Sequence, residues 1–378
     1  MKKFRLAYAL FLMLLAFNMG CKKSGVIKPE ENITTSNQVE QQSEQTTSSS
    51  TENQSLLKEI DFDPNYDVYV GGSYHNGQLN QACYWKNGLL NPVEYENSNS
   101  YAYDISIEGP NIYLVGQMLS KPCLWKNGKR ENLNISNWEG YATKTITNKD
   151  KVYIIGRIRQ NPQTYYLPVL WIVDQNLQIE EILLENMPIQ NQSANALDMI
   201  GDELYITGMY QQVPCYWKWS NGLLDRIQIA THFGTARGMI LYNGDEYIFG
   251  NYDVNSNNTY QWGYWLNGQY QLLNLSSSMP NYTVISSTIS ANGKIFSTGH
   301  SYFPNNASTY ASFWNDTGSI AQQLSNEESG TSDIEVLPND DTYISGRWFN
   351  IACIWKNGVI YKLDTPYSHG RGIEVVVK

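Results

Sequence analysis

Three aspartates, Asp104, Asp198 and Asp333, recur near the start of similar apolar stretches. Carboxylates that a fold brings together can exchange protons with a substrate or hold a cation. They can equally serve a repeat as wall and turn hydrogen-bonding groups. The chain offers little else for covalent chemistry. Its four histidines, His75, His232, His300 and His369, are nowhere paired at metal-ligand spacing. There is no His-Glu-x-x-His, Cys-x-x-Cys, Gly-x-Ser-x-Gly or phosphate-cradling glycine loop. The asparagine-rich tract from Asn255 to Asn258 lacks the acidic alternation of a calcium loop. No catalytic residue, metal ion or cofactor is therefore expected.

Side chains suited to binding are more plentiful. Tyr252, Tyr260, Trp262, Tyr302, Phe303 and Tyr310 fall in segments between apolar stretches, with His232, Arg237, His369 and Arg371 close by in the repeat. Tyr165, Tyr166, Trp138, Tyr141, Phe233, Tyr282 and Tyr367 occupy comparable segments. Aromatic faces among Asn and Gln combine apolar stacking with directed polar groups, which suits sugar rings or peptide segments. The two arginines favour an uncharged or acidic glycan, or a peptide carboxylate, over a basic ligand. The alternative is that the rings pack their own loops.

Positioning these groups falls to a repeat. Ala82-Cys83-Tyr84-Trp85-Lys86-Asn87-Gly88 returns as Pro122-Cys123-Leu124-Trp125-Lys126-Asn127-Gly128 and as Ala352-Cys353-Ile354-Trp355-Lys356-Asn357-Gly358. A stretched copy holds Cys215 and Trp217, and looser ones centre on Trp171, Trp265 and Trp314, giving seven at intervals of 40 to 49 residues. The pattern predicts a buried strand entering a hairpin, because Asn-Gly accepts the positive φ of a type I′ turn. Ahead of each tryptophan lies an alternating apolar strand ending in glycine: 67–72, 111–116, 151–156, 203–208, 246–250, 294–299 and 342–346. From that glycine to the tryptophan the segment runs 13, 9, 15, 9, 15, 15 and 9 residues. Every gap is odd, so length can vary in pairs without turning the tryptophan to the other face. With a further strand before most of the glycine strands and a polar one after each hairpin, the unit has four strands.

Seven four-stranded antiparallel units predict an all-β, seven-bladed propeller over residues 66–378. The first unit lacks a convincing first strand, whereas the last residues, from His369 through Gly370-Arg371-Gly372-Ile373, look like one, compare Ala236-Arg237-Gly238-Met239. The C-terminus should therefore supply the innermost strand of the first blade and close the ring. The glycine strand ending in Gly71-Gly72, followed by the strand carrying Trp85, resembles kelch-type and other bacterial secreted propeller repeats. That resemblance implies a fold that hosts binding and several catalytic chemistries.

The first 65 residues read differently. Lys2, Lys3 and Arg5 precede an apolar run over 6–17 that is too short to span a bilayer, as in a secretory signal peptide over 1–20. Asn18-Met19-Gly20-Cys21 resembles a bacterial lipobox, which implies that Cys21 carries the lipid and that the protein sits at the envelope, in the outer membrane. The segment 21–55 is dominated by Ser, Thr, Gln, Asn and Glu and reads as a disordered tether, with 56–65 as a lead-in. Net charge is −10, falling to −13 once the three basic residues leave with the signal. Such a chain repels phosphate backbones, which argues against a nucleic-acid partner. Cys83, Cys123, Cys215 and Cys353 share one repeat position in different blades, too far apart to bridge, and read as small buried residues. The resulting expectation is a monomeric, lipid-anchored binding or assembly module for a glycan or a protein. A glycan-acting hydrolase or lyase with an axial site is the competing reading.

Overall fold

The inner strand of every blade carries a β-bulge, and the bulge organises both the repeat and the channel it surrounds. In this computed structural model residues 62–133, 138–254, 260–273, 281–302, 308–315 and 322–378 are described. The signal segment, Cys21 and the tether lie outside the described residues, as does Phe303. Seven four-stranded antiparallel sheets form the ring. Their inner strands are Ser368–Val377, Ser100–Glu108, Glu139–Asn148, Ser193–Ile200, Gly234–Tyr242, Asn281–Ile289 and Ser329–Val336, for blades one to seven. Each packs on the next, and that of blade seven packs on that of blade one. As expected, the C-terminal strand pairs with Tyr66–His75 and completes the first blade.

The glycine of the second strand follows from the bulge. Gly72, Gly116, Gly156, Gly208, Gly250, Gly299 and Gly346 each sit beside the bulged segment, where an added Cβ would lie 1.8–2.2 Å from an inner-strand carbonyl oxygen. Only a residue without a side chain fits. Each of these glycines pairs with the residue two before the blade's tryptophan, for example Gly72 with Cys83, Gly156 with Val169 and Gly346 with Cys353. The odd gap lengths preserve this register. All seven tryptophans are at most 3% exposed. Trp171 of blade three packs against Val115 and Leu124 of blade two, and Trp217 of blade four against Ile155 and Leu170 of blade three. Each seam thus completes the core that a single blade lacks, and removing one such ring costs about 3–5 kcal/mol.

The outer hairpins follow the same economy. Asn87-Gly88, Asn127-Gly128, Asn221-Gly222, Asn267-Gly268 and Asn357-Gly358 all hold positive φ at both residues. Asn87, Asn127, Asn267 and Asn357 also accept a hydrogen bond from the start of the second strand, as from Val68 N to Asn87 Oδ1 at 2.9 Å. The four described cysteines are buried in four different blades with free thiols. In the register of the ring the three recurring aspartates are not equivalent. Asp104 and Asp333 directly follow the bulge, whereas Asp198 lies two residues further along, because the blade-four bulge falls between Ala194 and Ala196.

Candidate functional site at the axial channel mouth

A bulge sets one extra residue against the neighbouring strand, so two residues adjacent in sequence can both face the axis. The bulged residues are Tyr103, Thr143, Asn195, Arg237, Ile285, Ser332 and, in the closing strand, Arg371. All seven line one axial cavity of about 1110 Å³. The residues after them include Asp104, Lys144, Ser286 and Asp333, which line it one step deeper. Asp198, Glu335 and Glu374 lie further along the same strands.

The outermost of these layers is cationic. Arg237 and Arg371 share it, and His300, Arg347 and His369 line the cavity with them. Burial pulls the Arg237 and Arg371 guanidiniums below their usual range. Among the described residues no carboxylate forms an ion pair with either, and the buried Nε of Arg237 has no hydrogen-bond partner. Arg237 instead lies over the Trp262 ring at 5.6 Å, and Arg371 over Tyr103 at 5.7 Å. Arg347 reaches a carboxylate only at 3.7 Å, on Glu328. Burial, then the charges of Arg371 and Arg347, drive His369 down to about 2, and burial also lowers His300. Both imidazoles are thus neutral at physiological pH. From Tyr103 an alternating ladder leads outward: Tyr141 at 5.7 Å, the Arg157 guanidinium 4.4 Å from Tyr141 and 4.5 Å from Tyr166, then Arg159 at 4.7 Å from Tyr166.

One step deeper the charges are paired. Lys144 Nζ lies 2.6 Å from Asp333 Oδ2 and 3.3 Å from Asp104 Oδ1. Burial works against the Lys144 charge, but the two carboxylates outweigh it and raise its affinity for the proton. Ser286 Oγ donates to Asp333 Oδ1 at 2.8 Å, and Thr145 N to Asp104 Oδ2 at 2.8 Å. Further in, burial raises Asp198 to about 6; burial and the neighbouring Glu374 charge raise Glu335 to about 8; burial and the charges of Asp104 and Asp333 raise Glu374 to about 7.

Of the residues singled out from sequence, Arg237, His369 and Arg371 meet at this mouth. Trp262 and Tyr310 are 7% and 9% exposed and belong to the packing of blades five and six. Tyr252 packs edge-on against Trp265 and Tyr270, with His232 stacked on it at 6.0 Å. Tyr260 is exposed and lines a separate groove of about 230 Å³ with Gln212, Thr235 and Asn251. Tyr302 stands half-exposed at the end of its strand. Tyr103, Lys144 and Arg347 were not singled out. For Tyr103 the signal was the Ala-x-x spacing of the bulge, which places two consecutive inner-strand residues on the axis; Arg347 instead follows the second-strand glycine Gly346.

No family model matches the chain, and no curated protein matches it. Solved structures do. The β-propeller domain of the Trilobed protease from Pyrococcus furiosus aligns over 81% of this chain and 94% of its own, with a TM-score of 0.51 and 11% identity. Pyrococcus horikoshii acylaminoacyl peptidase aligns over 81% of this chain with a TM-score of 0.50 and 12% identity. The likeness is one of fold. This chain spans about half the peptidase's length, 52%. TolB from Acinetobacter baumannii aligns over 83% of each chain at a TM-score of 0.43 and 12% identity.

Proposed function

We propose that the propeller is the non-catalytic binding module of an envelope lipoprotein, held through Cys21 in the outer membrane, and that its axial mouth takes the anionic group of a glycan or peptide. The kelch-type resemblance of the repeat and the lipobox resemblance at Cys21 belong with this reading. The observation that carries it is the pair Arg237 and Arg371. Two part-buried guanidiniums with no counter-carboxylate among the described residues are costly in an otherwise acidic chain of net charge −10. A bound anion supplies what the fold omits, and a cationic concavity draws anions in. The glycan-cleaving alternative would use Asp104 and Asp333, but both are already engaged by Lys144.

The test is a capture screen on the full chain in detergent, with neutral glycans, acidic glycans, and peptides with free or amidated C-termini. Retention of carboxylate-bearing species, released by salt, is expected. Capture of neutral glycans alone would contradict the reading.

A further inference from the structure

The second strand of blade three, Lys151–Arg159, carries an arginine that no carboxylate holds. Arg157 directly follows Gly156, the glycine beside the bulge, and pairs with Tyr141 of the inner strand. Blade three has one of the 15-residue gaps between its glycine and its tryptophan, and that longer segment brings Tyr166 against the same arginine. The guanidinium carbon lies 4.4 Å from the centre of the Tyr141 ring and 4.5 Å from that of Tyr166, between two rings inclined at 59°. Contact with ring faces supports a guanidinium's charge without neutralising it. The buried Nε of Arg157 has no hydrogen-bond partner.

Neighbouring arginines show what is missing. Arg159 also lies against Tyr166, at 4.7 Å, but Glu139 pairs with it at 3.0 Å. Arg226 lies 3.6 Å from the Tyr210 ring and pairs with Glu185 at 2.6 Å. Arg157 has the aromatic contacts and, among the described residues, no ion pair. Arg371 at the mouth is in the same condition, and tyrosines link the two. Arg371 lies 5.7 Å from Tyr103, Tyr103 lies 5.7 Å from Tyr141, and Tyr141 meets Arg157. Both linking tyrosines line the axial cavity. Separate unpaired guanidiniums call for anions on successive units of one ligand. A free peptide C-terminus supplies a single carboxylate, whereas a uronate chain supplies one on every sugar. Its rings and hydroxyls also suit an aromatic, phenolic link.

We infer that Arg157, clamped by Tyr141 and Tyr166, is a second anion site beside the mouth, and that the ligand is a run of acidic sugars reaching it from the axial cavity. This rests on the binding role proposed above and names the ligand class and its path. The experiment is calorimetric titration of the full chain in detergent with oligogalacturonates of two, four and eight units, and with hexaglutamate. The wild type is compared with Arg157→Gln, with Tyr166→Ala and with Lys129→Gln, which removes an exposed charge beside the Asn127-Gly128 hairpin at the other end of blade two. Affinity of the wild type should climb with length. Arg157→Gln should weaken the octamer by about tenfold or more, as loss of a charge-assisted contact does. Tyr166→Ala keeps the charge but opens the clamp and should weaken the octamer by about threefold. Lys129→Gln should bind as the wild type does. Affinity independent of length, octamer binding unchanged in both clamp variants, or a loss in Lys129→Gln equal to that in Arg157→Gln would overturn the second site and leave the binding role intact. Binding of hexaglutamate without the uronates would overturn the ligand class. Failure of every carboxylate to bind the wild type would overturn the binding role itself.

Discussion

Glu335→Gln isolates the cost of keeping carboxylates on the channel wall. Glu335 sits at the seam where the closing strand meets blade seven, and its Oε2 accepts the Val375 N–H at 2.7 Å. Burial and then the Glu374 charge raise it from the usual 4.5 to about 8. The native state therefore binds this proton more tightly than the unfolded chain does. The associated stability is complete below pH 4.5 and is lost as pH climbs through about 8. At about 1.4 kcal/mol per pH unit the rise bounds the loss at about 5 kcal/mol. Water in the open channel and coupled titration with Glu374 reduce this, and about 2 kcal/mol is the working figure. Glutamine keeps the acceptor for Val375 and cannot ionise. Melting temperatures measured from pH 5 to pH 9 should show the variant level with the wild type at pH 5 and about 2–4 °C above it at pH 8.5. Both proteins should still decline in this range through Glu374, raised to about 7. Parallel curves for the two proteins would refute the reasoning.

Three further outcomes follow from the same structure. Deleting residues 369–378 removes the inner strand of blade one, so the truncated chain should lose its cooperative thermal transition, as followed by circular dichroism. Trp262→Ala should lower stability by about 3–5 kcal/mol in denaturant titration, since the ring is 7% exposed, whereas Tyr260→Ala, 45% exposed, should leave stability unchanged. Cys21→Ser should release the protein from the membrane fraction with its melting temperature intact, read by fractionation and a thermal scan.

The architecture was legible because the repeat writes its packing into single residues. The second-strand glycine marks the bulge beside it, the tryptophan marks the seam, and the odd spacing between them preserves their pairing. The displaced C-terminal strand was legible for the same reason, since Gly370-Arg371-Gly372 repeats the bulge pattern. Gly372 is required there, as a Cβ would stand 2.2 Å from Asp104 Oδ1. The site was harder to read. Strict alternation sends every second residue to the axis, but each bulge adds one, and this brings Tyr103 beside Asp104 and Arg371 to the mouth. Lys144 carried no sequence signal, because its partners lie 40 and 189 residues away and meet it only across the closed ring. Trp262 sat in a long aromatic loop segment, yet its strand position pairs with Asn251 and turns the ring into the packing of blades five and six.

The central claim is that Arg237 and Arg371 are held unpaired for an anion. The direct measurement is thermal unfolding of the wild type and of an Arg237→Met/Arg371→Met double variant, each with and without tetragalacturonate. The account predicts that the double variant is the more stable without ligand, because two part-buried charges with no carboxylate partner among the described residues are gone. It further predicts that added ligand raises the melting temperature of the wild type alone. A double variant that is no more stable than the wild type, and that gains as much from the ligand, would contradict it.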